Sequence, residues 1–268
     1  MFKGSRAKAR ERGVYIPPAY TNIMISKDPR SPLQATAVAV NGKRQYYYTP
    51  EHKALSSHKK WIRLHEFSKI LPEIRKDMKN NPKSIYVGIW LVDNCKFRAG
   101  SPNGATGVST LKPNHVKNNS VSFIGKSKVQ NTCSIDKKFM KNVKEYASNP
   151  PSAVQLNDYM ASFGNLTLKD FRTFHSNATF LDYLCDQHPP STQKERKAMI
   201  KNAISYAADK LMHTPSIAKK SYLFPELLKS YESGRLDKIH GYSRTGMYKT
   251  PGEQLLRLAS DKLAKNST

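Results

Sequence analysis

A chain of 268 residues is long enough for one large domain or two modest ones with buried cores. Its 38% apolar and 10% aromatic content excludes a disordered tail as the main body. Lys and Arg number 45 against 20 Asp and Glu, a formal charge of +25 spread along the whole chain. The expected partner is therefore a long polyanion, nucleic acid before an anionic membrane surface.

The longest apolar run, Ile85 to Val92, falls far short of the roughly 20 residues that span a bilayer, so no membrane protein is expected. Cys95, Cys133 and Cys185 show no paired spacing, and the opening MFKGSRAKARERG has no apolar leader. An intracellular, reduced chain is expected. Without a CxxC or HExxH pattern, nothing asks for a metal or another cofactor.

Residues 1–14 carry Lys3, Arg6, Lys8, Arg10 and Arg12 with little apolar content and read as a mobile basic tail. Over 15–56 a small antiparallel β module is expected. Its strands are Ile23 to Ile25, Ala35 to Val40 and Lys43 to Tyr48, and Asn41-Gly42 supplies a type I′ turn in which both residues take positive φ.

From 57 to 268 the texture becomes mainly helical. Leu64, Phe67, Leu71, Ile74 and Met78 mark one helix face, which Pro72 should kink or restart. Ile85 to Val92 fits a strand or a helix. Val116 to Ser134 predicts a hairpin around Gly125-Lys126-Ser127-Lys128. Thr167 with Asp170, Thr192 with Glu195 and Thr250 with Glu253 resemble capping boxes. Pro215, Pro225 and Pro251 suit first helical positions, and Leu255 to Leu263 reads as a helix. The fold class is α+β: a small antiparallel β amino-terminal module and a larger, mainly α domain containing a β-hairpin.

Two segments stand out in the helical half, LKDFRTFHSNATF at 168 to 180 and HTPSIAKKSY at 213 to 222. Breaking a DNA strand without metal needs fixed cations around a phosphate whose charge grows in the transition state. Arginine suits that task through its planar, permanently charged fork. A nucleophile and an acid for the departing sugar oxygen complete the set. Tyrosine titrates near 10, and cations such as Lys219, Lys220 and Arg172 beside Tyr222 would favour loss of its proton.

With these motifs in view, the chain resembles the small type IB topoisomerases of poxviruses, giant viruses and some bacteria, from about Ile16 to about Phe224. IPPAYTNIMISKDP and LQATAVAVNGKRQYYYTPEH resemble the family's amino-terminal β module. KFRAG resembles the segment of its first catalytic arginine, with TGVSTLKPNHV following. FIGKSKV resembles the hairpin of its catalytic lysine, KDFRT its second arginine, and HTPSIAKKSY its histidine and tyrosine.

The resemblance implies that Tyr222 forms a 3′-phosphotyrosyl bond, that Arg98, Arg172 and His213 hold the non-bridging oxygens, and that Lys126 protonates the 5′ oxygen. It also implies relaxation of double-stranded DNA by a monomer shaped as a C-shaped clamp, without ATP or metal. Lys43, Arg44, Tyr46 and Tyr48 of the β module are expected to contact DNA, with Lys219 and Lys220. Tyr46 and Tyr48, which share a strand face, suit sheet packing as well.

The sequence departs from the family in two places: Met212 stands where a glycine usually precedes the histidine, and the stretch between Arg98 and Thr106 is shorter than in the poxvirus enzymes. The residues after Glu226 match poorly. The alternative reading is a tyrosine recombinase, which shares this constellation. Its usual helical core-binding domain is absent from the pattern, and the AKKSY ending also favours the topoisomerase.

Overall fold

The computed structural model describes residues 1–243 and 248–265, with side chains as far as Leu258. It divides into two units, Met1–Lys60 and Trp61–Thr268, each with its own apolar core. Among the described residues the class is α+β, mostly helical with two small antiparallel sheets. No helix there is long and apolar enough to cross a membrane.

The first unit is a sheet of order β1-β2-β3-β4, made of Phe2–Lys3, Thr21–Ile25, Leu33–Val38 and Arg44–Tyr48. Ile23, Ile25, Ala35 and Ala37 point into its core with Tyr47 packed against them, while Tyr46 is 56% exposed on the other face. The expected basic tail is corrected here. Phe2 pairs with Ile25 and Lys3 with Met24, and Arg6–Glu11 forms helix α1, capped by the Ser5 hydroxyl. Ala9, Val14 and Ile16 fill the same small core. The Arg6 guanidinium donates to the carbonyls of Pro17, Pro18 and Tyr20. A few apolar residues and one arginine tie down a segment whose composition is otherwise that of a tail.

The hairpin between β3 and β4 forms, but its turn is not type I′. Ala39 N–H donates to Lys43 O at 2.9 Å and Gly42 N–H to Ala39 O at 2.9 Å. Gly42 alone takes a positive φ, of 76°. A three-residue loop closed by a left-handed glycine absorbs the strand twist instead.

Helix α2 begins at Pro50 and runs to Asp77. Leu64, Phe67, Leu71 and Ile74 are its buried stripe, continued by Met78. Pro72 lies inside one continuous helix rather than restarting it. Proline cannot donate to the carbonyl of Ser68, and that carbonyl instead accepts from the Tyr248 hydroxyl at 3.1 Å. The ambiguous Ile85 to Val92 lies within helix α3, Lys83–Cys95.

The hairpin expected around Lys126 forms from β5 (Val116–Lys117), β6 (Ser120–Ile124) and β7 (Gln130–Ser134). Helices α4 (Lys137–Ser148), α5 (Ala153–Ala161), α6 (Leu168–Cys185) and α7 (Gln193–Lys210) follow. After them come α8 (Pro215–Ile217), α9 (Pro225–Glu232) and α10 (Pro251–Lys265). Pro215, Pro225 and Pro251 open their helices. The most extensive packing of α6 is against α7 and α10. It is buried nearly all round, including Asp170, Arg172, His175, Ser176 and Asn177. Polar groups so placed must find partners inside the protein.

Cys95 and Cys133 are joined in a disulfide with Cα atoms 5.4 Å apart, and Cys185 is free and buried. This corrects the expectation of a reduced chain: a separation of 38 residues conceals a pair that the end of α3 and strand β7 bring together. Replacing both cysteines by serine is expected to cost about 2–4 kcal/mol by loosening the unfolded-state constraint. A urea midpoint that reductant leaves untouched in the wild type would refute this.

Candidate active site

Arg172 is at the centre of the site, 3% exposed, in the second turn of α6. Its Nη1 donates to the carbonyl of Lys96, and its Nη2 donates to the carbonyl of Leu211 at 2.7 Å. The first carbonyl precedes Phe97 and Arg98; the second precedes Met212 and His213. One guanidinium thereby ties together the chain segments that carry Arg98 and His213. No carboxylate among the described residues pairs with it, and burial, then Arg98, lower its pKa to about 10, still charged at neutral pH.

Lys96 caps α3 in the left-handed region at φ 60°, which turns the chain toward Arg172. Arg98 is then held through its own backbone: its carbonyl accepts from Val108 N–H at 2.9 Å, and that of Ala99 accepts from Ser109 N–H at 2.8 Å. A Cβ on Gly107 would lie 2.4 Å from the Arg98 carbonyl oxygen. Only glycine allows this return of the loop.

Tyr222 closes a π-helical turn, Ala218–Tyr222, that follows α8. Arg98 Nη1 donates to its hydroxyl at 2.7 Å, and Arg172 lies 5.6 Å from its ring centroid. Burial pushes the phenol up, but Arg172 and Arg98 outweigh it and leave the group below its ordinary value. Lys219 and Lys220 are exposed; the cations that act on the phenol are the two arginines.

The His213 ring stacks on that of Tyr222, centroids 5.1 Å apart and 9° from parallel. Burial, then Arg172 and Arg98, lower its pKa to about 4, so it is a neutral donor at physiological pH. Neither ring nitrogen, nor Arg172 Nε, makes a well-formed hydrogen bond. Met212 takes φ 52°. The backbone therefore keeps the left-handed conformation that glycine adopts freely, at a cost of about 1–2 kcal/mol for a side chain.

Lys126 is exposed on the turn between β6 and β7, where Ser127 and Lys128 both take positive φ and Gly125 N–H donates to Val129 O at 2.8 Å. Arg98, Lys126, Arg172 and Tyr222 line one cleft of about 500 Å³, with Lys169 and Ser221. Lys219 instead lines a separate groove with Lys197, Lys201 and Lys229. Lys43, Arg44, Tyr46 and Tyr48 belong to the first unit. There Arg44 Nη1 donates to Thr36 Oγ1 at 3.1 Å, and Tyr48 stacks on His52 at 4.8 Å.

Beneath the site lies an ion cluster that no local motif announces. Asp93, wholly buried, accepts from Arg75 Nε and Nη2, both at 3.0 Å, and from Lys249 Nζ at 2.7 Å. His175 Nε2 lies 2.9 Å from Asp93 Oδ1, and Glu253 takes the remaining side of Arg75 at 2.8 Å. Lys96 Nζ donates to the Asp93 carbonyl, so the residue whose own carbonyl holds Arg172 is anchored in this cluster. His175, buried between Asp93 and Glu253, is structural. The two carboxylates offer no spacing signal.

Residues 49–244 match the family of the eukaryotic DNA topoisomerase I catalytic core. The chain belongs to the type IB DNA topoisomerases. A mimivirus DNA topoisomerase 1B is 31% identical over 81% of this chain and 78% of its own length. The vaccinia virus DNA topoisomerase 1B is 25% identical over 70% of this chain and 69% of its own. The tyrosine recombinase alternative gives way to this membership. As a type IB topoisomerase the chain is an isomerase, and the cleft around Tyr222 is its candidate reaction centre.

Proposed function

We propose that the protein relaxes supercoiled double-stranded DNA by cutting one strand through Tyr222 and resealing it. The observation that carries this reading is the Tyr222 hydroxyl held by Arg98 at 2.7 Å in the cleft that Lys126 and Arg172 also line. The phenol loses its proton and its oxygen bonds to phosphorus, while the bond from phosphorus to the 5′ oxygen breaks. Lys126, with Arg98, supplies the proton that the departing oxygen takes up. Arg98, Arg172 and neutral His213 donate to the non-bridging oxygens, whose charge grows as the bonds exchange.

The phosphotyrosyl diester conserves the energy of the bond it replaced, so the 5′ hydroxyl reseals it without ATP after the free end has rotated. The reaction as written asks for no metal, because cationic and neutral donors from the protein meet the developing charge. Lys43, Arg44, Tyr46 and Tyr48 of the first unit and Lys219 and Lys220 of the second are proposed DNA contacts. With the first unit as DNA-binding module and the second as catalytic domain, a C-shaped clamp closing on the duplex as a monomer inside a cell completes the proposal; two separate cores support it.

Wild-type protein with negatively supercoiled plasmid, in EDTA and without ATP, is expected to yield relaxed topoisomers and a 3′ covalent adduct trapped by denaturant. Tyr222→Phe should yield neither, since it deletes the nucleophilic oxygen. Relaxation by that variant would sink the assignment of Tyr222.

A further inference from the structure

The Cys95–Cys133 disulfide joins two segments that meet at the cleft. Cys95 ends α3, and the residues after it are Lys96, whose carbonyl holds Arg172, Phe97 and Arg98. Cys133 lies on β7 opposite Val121 of β6, and the turn between those two strands presents Lys126. Among the described residues β7 is the last strand of the β5-β6-β7 sheet, so its outer edge has no strand to pair with. The Sγ–Sγ bond fastens β7 to the segment that carries Arg98. Between the same segments the Phe97 ring meets that of Phe123 at 4.9 Å, a contact that keeps the hairpin near without fixing its tip.

The bond is also within reach of a reagent. Cys95 is buried, but Cys133 is half-buried. Both line a pocket of about 380 Å³ with Asn94, Thr132, Tyr206 and Lys210, large enough for a small dithiol. One thiolate of that dithiol attacks Cys133 Sγ, the Sγ–Sγ bond breaks, and Cys95 Sγ leaves with the electron pair. The second thiol, deprotonated, then displaces Cys133 from the mixed disulfide. The dithiol ends as a disulfide, oxidised by two electrons, and its two protons pass through water to the two cysteine sulfurs.

We propose that Cys95–Cys133 is a thiol-exchange site that takes a dithiol reductant, and that opening it frees Lys126 from its place beside Arg98 and slows cleavage at the proton transfer. The inference rests on Lys126 as the acid for the departing 5′ oxygen. An acid on an exposed turn works only while it stays within hydrogen-bond reach of that oxygen, and the disulfide is the covalent tie that keeps the hairpin against the Arg98 segment.

The test is single-turnover adduct formation by the full chain on two duplexes, one with the ordinary 5′ oxygen at the cleaved bond and one with sulfur in its place. Oxidised, dithiothreitol-reduced and reoxidised wild type are compared, with Lys126→Ala beside them. Sulfur leaves as a thiolate and needs no proton from an acid. Reduction is expected to slow the oxygen duplex roughly 10- to 100-fold, to leave the sulfur duplex within about twofold, and to be reversed by reoxidation. Across a dithiothreitol titration the loss of rate should follow alkylation of Cys133 by iodoacetamide. An unchanged rate on the oxygen duplex with Cys133 alkylated would overturn the coupling to the site. A disulfide absent from the oxidised protein, or one that dithiothreitol cannot open while the protein stays folded, would overturn the exchange site. Equal slowing on both duplexes would mean a general loosening and overturn the link to Lys126. Lys126→Ala at the wild-type rate on the oxygen duplex would remove the acid and the inference together. A slow Lys126→Ala beside a fast reduced wild type would remove the inference alone.

Discussion

Exchanging Arg172 for alanine is expected to slow adduct formation at Tyr222 by roughly a hundred- to a thousandfold, the usual loss for one preorganised donor at a developing anion. The expectation follows from how the guanidinium is used. Lys96 O and Leu211 O each take one of its hydrogens, and Nε remains buried without a well-formed bond. The group is thus fixed by neutral carbonyls while its charge stays available to a phosphate and to the phenol. With Arg98 it holds the Tyr222 hydroxyl below its ordinary value, so alanine would remove the proposed phosphate donor and raise the pKa of the proposed nucleophile together. Arg172→Lys should recover little, because one ammonium cannot span both carbonyls and still present a planar fork. The two abandoned carbonyls also cost about 1–3 kcal/mol each, so rates must be read well below the melting temperature. A well-folded Arg172→Ala protein within tenfold of wild-type adduct rate would refute this account.

Asp93→Ala is expected to be the most damaging change to stability, at about 3–5 kcal/mol, since it leaves buried Arg75 without half of its ion pairing. Asp93→Asn would keep the shape but not the charge, and should approach the same loss. The cluster also sets the acid response. Its cations hold the Asp93 and Glu253 carboxyls below their ordinary values against the opposing push of burial. Burial, then Lys96, pushes His175 from 6.5 to about 4. Between those two values the unfolded chain binds a proton at His175 that the folded protein does not. At lower pH the same holds for the two carboxyls. Each difference makes stability rise with pH, so it should fall as the pH drops from 6.5 through 4. Urea midpoints that stay level over that range would contradict the arrangement. Midpoints that fall equally in Asp93→Ala would place the acid response elsewhere.

The residues of the candidate site were legible because they lie in short motifs. KFRAG, FIGKSKV, KDFRT and HTPSIAKKSY each hold a proposed catalytic residue within its own element, and the resemblance needed only their order. Helix α2 and the hairpin of Lys126 were legible for a related reason, since helical and strand periods depend on neighbours a few residues away. By contrast, the run through Pro72 and the ordering of residues 1–14 turned on partners elsewhere: the Tyr248 hydroxyl and the edge of β2.

What the sequence by itself determined, then, is which residues carry charge and a candidate nucleophile, and most of the local elements that display them. Only the tertiary structure decided how they are held: Arg172 by the carbonyls of Lys96 and Leu211, Tyr222 by Asn177, Cys95 by Cys133, and Arg75 between Asp93 and Glu253. Those partners meet across long stretches of chain, where no periodicity reaches. Burial makes each pairing obligatory, because a polar group removed from water must find its partner wherever the fold has placed one.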